Sequence, residues 1–232
     1  MKNDKGFIMM RQFFEKMINN LKQYFNTVYK QAFTNQTIDS CMAIYNLCRE
    51  ENPDQVIEIG TNHGASTFAL IAAMKSLEKD LSLITTIDLD HGKWKESFNI
   101  HKDLIKEYDL NLEKVETITI DFNEIDPKYL IDSLNRVFIF YDMHDHTGPW
   151  SQKLLDLWVP LVEKGVFAIH DITPVHESFK IIQDKISPRT KIRSNNGQYF
   201  AGFNECFRII KWANNNDIDI KIFPGGVYFR NG

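Results

Sequence analysis

Two regions of this chain concentrate side chains able to hold a charged ligand or move a proton. The first is Val56-Ile57-Glu58-Ile59-Gly60-Thr61-Asn62-His63-Gly64-Ala65-Ser66-Thr67, where an apolar run ends in a turn bracketed by two glycines and a helical pattern follows. Glycines there let the backbone approach a ligand, and the start of a helix offers N–H groups without partners inside the helix. Thr61, Asn62 and Ser66 belong to the same cradle. Glu58, two residues before Gly60, adds a carboxylate that would repel a pyrophosphate and suit a cation. The G-x-G-x-x-G dinucleotide pattern is absent. A sulfonium carrying an amino group therefore fits better than a dinucleotide, and a tight turn without a ligand is the plainer alternative.

The second region gathers acids and histidines after two other apolar runs. Val137–Tyr141 leads into Asp142-Met143-His144-Asp145-His146, and Val166–Ile169 leads into His170-Asp171. Asp88 ends the run before them that starts at Leu83, and Asp121-Phe122 follows Val115–Ile120. Asp88 could accept both hydroxyls of a ribose, with Asp90 as a rival, and either could be a solvated loop acid. His144 and His146 are candidate general bases, because an unperturbed imidazole titrates near pH ~6.5. The bland alternative for this cluster is a hydrogen-bonded loop without catalysis.

These residues need a scaffold, and the hydrophobic pattern predicts one. Short runs rich in β-branched and aromatic residues (56–59, 83–87, 115–120, 137–141 and 166–169) read as strands, most of them buried on both faces. Helical patterns fall between them at 66–77, 94–108, 125–134 and 150–162. That alternation predicts a doubly wound, mostly parallel α/β sheet. After a helix through Phe203, Phe207 and Ile210, the runs 218–223 and 227–230 flank Pro224-Gly225-Gly226 and predict a closing antiparallel hairpin, a seven-stranded sheet in all. Upstream, Phe14, Met17, Leu21, Tyr24 and Val28 form a heptad-like stripe, and Ile38, Cys41, Tyr45 and Cys48 form another with Thr37 as N-cap. Residues 1–53 thus read as a helical extension, capping the domain at 54–232 or forming a dimer.

Composition narrows the classes. The 232 residues are 43% hydrophobic and 25% charged, which excludes collagen-like and disordered chains. A net charge of −4 disfavours nucleic acid as a partner. Three scattered cysteines make no disulfide framework and suit a reducing, cytoplasmic compartment, and no apolar run reaches membrane-spanning length. Aromatics reach 12%, with 17 Phe, concentrated in the N-terminal helix and the tail. They serve core packing and a subunit interface, or line an apolar acceptor pocket.

Taken together, Glu58-x-Gly60-x-x-x-Gly64, Asp88 and Asp121 at successive strand ends resemble the class I S-adenosylmethionine-dependent methyltransferases, with a Rossmann-like fold, over about Asp54 to Gly232. The resemblance implies a glycine loop under the methionine part of the cofactor, Asp88 on the ribose, and Asp121 with Phe122 at the adenine. Asn62 stands where a fuller family loop often has a middle glycine. The second region resembles the small-molecule O-methyltransferases of the catechol and macrocin type and the cephalosporin hydroxylase-like proteins. It implies a divalent cation, Mg²⁺ or Mn²⁺, on Asp142, His170 and Asp171, with Asp142 also bordering the cofactor. His170 replaces the usual acid, and an imidazole shifts preference away from Mg²⁺. In that group the base commonly falls three positions past the strand-four acid, here Asp145. The expected activity is O-methylation of a small molecule by a homodimer. Competing expectations are a metal-dependent hydrolase built on the His/Asp cluster, an NAD-type oxidoreductase, and a cofactor-binding protein without turnover.

Overall fold

Strand registry decides which of these residues meet. The computed structural model describes residues 5–24, 35–132, 135–143, 150–170 and 198–231. Its strands are β1 (Gln55–Ile59), β2 (Ile84–Asp88), β3 (Glu116–Thr119), β4 (Val137–Tyr141), β5 (Gly165–His170), β6 (Lys221–Phe223) and β7 (Gly226–Asn231). They form one sheet in the order β3-β2-β1-β4-β5-β7-β6. Strands β1 to β5 run parallel, and β7 lies antiparallel to both β5 and β6. This is the mostly parallel sheet with a closing hairpin that the sequence predicts.

Because β1 lies between β2 and β4, the winding reverses there, and a crevice opens outside the carboxyl ends of β1 and β4. Ile59 is in register with Ile87 on one side and Tyr141 on the other, and Tyr141 with Ile169. The residues that follow, Asp88, Gly60, Asp142 and His170, therefore stand in one row. Asp88 pairs with Thr119, which brings Asp121 to the same edge.

The helices are α1 (Lys5–Tyr24), α2 (Asn35–Glu51), α3 (Ala65–Ser76), α4 (Gly92–Ile100), α5 (Lys102–Glu107), α6 (Trp150–Lys153) and α7 (Gln198–Asn215). Strand alternation divides the apolar side chains between two faces. Val56, Phe138, Phe140 and Ala168 pack with α1 to α5, while Ile57, Ile59, Ile139, Tyr141 and Phe167 pack with α6 and α7. Helix α3 is buried from Ser66 to Met74 because α2 covers the side turned away from the sheet. In α1 the described part of the stripe is spent inside the chain, with Phe13 against Phe14, Phe68 and Tyr108 at ring separations of 5.2, 5.9 and 4.9 Å. Such edge-on pairs stabilise beyond their buried area. Cys41 and Cys48 are free and buried, and burial pushes the Cys41 thiol up to about 12. Among the described residues no helix is long and apolar enough to cross a membrane.

Local structure departs from the sequence pattern in five places. Thr37 lies inside α2 and does not cap it. The helix expected over 94–108 breaks at His101 into α4 and α5. Of the helix expected over 125–134, the described residues 125–132 form only a 3₁₀ turn, Pro127–Tyr129, with Asp126 accepting from the Lys128 N–H. Helix α6 passes into a π turn (Leu154–Trp158) and a 3₁₀ turn (Val159–Leu161), where Pro160 cannot donate to the turn before it. Strand β3 sits at the sheet edge with Glu116, Thr117 and Thr119 exposed.

His101 supplies an acid-sensitive element. Its ring lies edge-on to Phe68 at 5.6 Å, and its nitrogens have no hydrogen-bond partner among the described residues. Burial pulls its pKa down to about 4 from 6.5. The folded state therefore holds a neutral ring, while the unfolded chain takes up a proton below pH 6.5. Its stabilising contribution is complete above that pH and is lost as the pH falls toward 4. In His101→Leu, urea unfolding at pH 7 and pH 4.5 should differ by about 2 kcal/mol less than in the wild type. An equal acid loss in both proteins would place the sensitivity elsewhere.

Candidate active site

The glycine loop joins β1 to α3 through three residues in the left-handed region: Gly60 (φ 95°), Asn62 (φ 46°) and Gly64 (φ 77°). Asn62 replaces the middle glycine because asparagine is among the side chains that tolerate this conformation best. The two glycines are needed for space as well. A Cβ on Gly60 would lie 2.5 Å from the Asp142 carbonyl oxygen, and one on Gly64 would lie 2.1 Å from Cε3 of Trp94. Gly60 thus lets β1 and β4 leave the sheet side by side, and Gly64 lets the loop pass under Trp94 of α4.

Glu58 differs from its sequence-based role. It is fully buried beneath the loop and not presented to a ligand. Ser66 Oγ donates to Oε1 at 2.5 Å, and Thr67 Oγ1 and Thr86 Oγ1 donate to Oε2 at 2.6 and 2.7 Å. Burial pushes its pKa up to about 7; the three hydroxyls pull it down, and the Asp142 charge raises it. Thr61, also buried, turns its hydroxyl inward to Thr86. Glu58, Thr61 and Ser66 are therefore buried beneath the loop and shape its path.

Asp88 grips the loop from the next strand. Its Oδ2 accepts the N–H groups of Thr61 (2.9 Å) and Asn62 (2.8 Å), and among the described residues Oδ1 accepts only the longer Asp90 N–H bond, at 3.3 Å. An ionised carboxylate has about four acceptor sites, so Asp88 keeps capacity for a ribose. Its rival Asp90 accepts from Gly92 N at 2.7 Å at the start of α4. Asp121 accepts from Asn123 N at 2.8 Å at the end of β3. The Phe122 ring, expected beside an adenine, is 1% exposed and stacks on Trp158 at 5.4 Å. Apolar burial claims the ring. Lys153 donates to the Phe122 carbonyl at 2.5 Å, a contact the sequence does not reveal.

Asp142 and His170 meet as predicted: Oδ1 and Nδ1 are 3.1 Å apart and both side chains are partly exposed. The His170 ring tilts against Phe140 at 5.9 Å. A Cβ on Gly225 would lie 2.9 Å from His170 Nε2 and 2.5 Å from Ser40 Oγ, so α2 and the β6–β7 turn close on this imidazole. Ser40 had no signal in the sequence beyond being a polar residue on an apolar helix face. Among the described residues no group of three side chains is arranged to hold a metal. His144, Asp145, His146 and Asp171 lie outside the described residues.

A glycine loop at the switch point of this seven-stranded sheet, with acids at the neighbouring strand ends, defines a class I S-adenosylmethionine-dependent methyltransferase. A family model described as a methyltransferase domain matches residues 57–172, half of the chain, and the chain belongs to that family. Solved structures agree in fold. The methyltransferase PaMTH1 of Podospora anserina, bound to SAH, is 14% identical with a TM-score of 0.54, over 99% of this chain and 88% of that one. The O-methyltransferase TomG of Streptomyces achromogenes, involved in tomaymycin synthesis and in complex with SAM, is 14% identical with a TM-score of 0.52, over 99% and 91%. CalS11, a TDP-rhamnose 3′-O-methyltransferase of calicheamicin biosynthesis, is 13% identical with a TM-score of 0.54, over 95% and 94%. A search of curated proteins gives no match. The hydrolase and NAD-type oxidoreductase expectations find no support in the family match.

Glu58 should leave a signature in the stability of the ligand-free protein. Its folded pKa, about 7, lies above its ordinary 4.5, so the fold favours the protonated acid. Its contribution is complete below pH 4.5 and is lost as the pH rises through about 7. Between pH 5 and 7.5 the unfolding free energy of the wild type should fall by about 2 kcal/mol relative to Glu58→Gln. Parallel profiles for the two proteins would show that Glu58 is ionised throughout.

Proposed function

We propose that the protein transfers the methyl group of S-adenosylmethionine to a hydroxyl of a small molecule. The observation that carries this reading is the row of strand ends: Asp121, Asp88 and the Gly60–Gly64 loop lie on one side, and Asp142 with His170 on the other. The first set suits the adenosine and methionine parts of the cofactor. The second stands where an acceptor would approach the sulfonium. Oxygen as the acceptor atom is supported by the recurrence of O-methyltransferases among proteins of this fold.

The chemistry asks for alignment more than for covalent help. The acceptor oxygen attacks the methyl carbon in line, the S–CH₃ bond breaks, and its electron pair stays on sulfur. Bringing the reacting atoms to roughly 3–3.5 Å in that line is the main contribution of the walls of the crevice. The acceptor proton leaves as the C–O bond forms, and His144, Asp145 or His146, directly after β4, is proposed to take it. The carboxylate of Asp142 and the imidazole of His170, 3.1 Å apart, have the donor chemistry and spacing of two ligands of one cation, with Asp171 as the third. Such a cation would orient the acceptor hydroxyl and lower its pKa.

Calorimetric titration with S-adenosylmethionine and with NAD tests the assignment: the first should bind with a Kd of tens of micromolar or tighter and the second not at all. Asp88→Ala should weaken that binding about tenfold or more through lost charge-assisted bonds. Asp142→Ala should spare cofactor binding and abolish methyl transfer. Equal loss of cofactor affinity in both variants would overturn the division of the crevice into two halves. A cofactor-binding protein without turnover would bind S-adenosylmethionine and methylate none of a panel of sugar, catechol and natural-product hydroxyls.

A further inference from the structure

Below the glycine loop a line of side chains crosses three strands, and the sequence singled out only Glu58 and Thr61 among its members. It runs from Glu58 on β1 to Thr86 on β2, Thr61 in the loop, His91 at the start of α4 and Thr119 on β3. Thr86 Oγ1 meets Glu58 Oε2 at 2.7 Å and also meets Thr61 Oγ1. Thr61 Oγ1 is 3.4 Å from His91 Nε2, and His91 Nδ1 is 3.0 Å from Thr119 Oγ1. His91 is 2% exposed, and its carbonyl accepts the Lys95 N–H at 2.9 Å in the first turn of α4.

Counting protons gives this line a direction. With Glu58 ionised, as it is above about pH 7, the Thr86 hydroxyl spends its one proton on the carboxylate. The bond between Thr61 and Thr86 must then be donated by Thr61. With its only proton spent, Thr61 can meet His91 only as an acceptor, so the imidazole carries its proton on Nε2. Nδ1 is then a bare acceptor, and Thr119 donates to it. The carboxylate at one end thus selects the tautomer of a histidine two strands away.

We propose that His91, neutral and protonated on Nε2, is a positioning residue for the cofactor. It pins the Thr61 hydroxyl and so holds the Thr61 and Asn62 amides against Asp88 Oδ2, leaving Asp88 Oδ1 turned toward the ribose. This rests on the reading of the crevice as an S-adenosylmethionine site. Burial lowers the pKa of His91, and Lys95 acts in the same direction; Asp88, Asp90 and the Thr86 carbonyl oppose them. A neutral ring at physiological pH follows.

The test has a spectroscopic arm and a binding arm. In wild-type protein labelled with ¹⁵N-histidine, long-range ¹H–¹⁵N correlation at pH 8, where Glu58 is ionised, should show one ring in the Nε2–H tautomer that is missing from His91→Gln. An Nδ1–H tautomer, or a charged ring, at that pH would overturn the proposal. In the binding arm, His91→Leu and Thr61→Val should each raise the KM and Kd for S-adenosylmethionine about tenfold while kcat changes little. The double variant should bind no worse than the weaker single one, and His91→Gln should recover part of the loss. Unchanged affinity in the folded variants, or fully additive losses, would also overturn it. If the wild type itself failed to bind S-adenosylmethionine, the proposed function would fail, while the tautomer measurement would still decide the hydrogen-bond line.

Discussion

A carboxylate held below a glycine loop by hydroxyl groups, and not by a cation, sets the terms for the rest of this site. Glu58 is removed from water by the strands on either side of β1 and by α3 above it, which makes its charge expensive. Ser66, Thr67 and Thr86 offset that cost, and they come from two elements that meet only when α3 docks over β1 and β2. The same hydroxyls dictate where the loop can run, because Thr61 must satisfy Thr86 from above. The loop path in turn presents two amides to Asp88. One buried acid therefore organises a cradle whose ligand-facing surface is mostly backbone.

On the other side of the switch point the controlling constraint is distance. Gly60 and Gly225 each stand where a side chain would collide with the neighbouring strand end or with His170. Their absence of a Cβ brings β1 beside β4 and seats the β6–β7 turn, together with Ser40 of α2, against the imidazole. The N-terminal helices are thus more than a covering layer. Phe13, Phe14 and Met17 help to form the core on one face of the sheet, and α2 reaches the crevice itself.

Much of this frame could be read in advance from residue types. Runs such as Val137–Tyr141, apolar at every position, have to be strands buried on both faces, and their spacing by helical patterns leaves few topologies. Asp142 directly follows β4 and His170 is the last residue of β5, so parallel neighbours in register were bound to bring them together. Other features were hidden. Phe122 looked like a ligand-facing ring because nothing local tells that Trp158, 36 positions later, stacks on it. Threonines inside the apolar β2 run were the one available hint of a buried polar line. His91 meets Thr61 and Thr119 only through sheet registry, and no spacing in the chain encodes that meeting.

The chain's local order was enough for the positions of strands and turns, the need for left-handed residues at the loop, and the identity of the acids on the rim. Those properties depend on side-chain shape, backbone freedom and hydrophobic period, which neighbouring residues carry among themselves. Which acid is presented to a ligand and which is buried depends on contacts between distant segments, as does the proton each group keeps. Glu58 and Asp88 both lie near the end of an apolar run, yet Glu58, in register with Thr86, is sealed under three hydroxyls, while Asp88, two rows further along at the end of β2, holds the loop amides. Desolvation and hydrogen-bond partnership arise only when those segments pack, so the fold alone sorts the two acids into their different work.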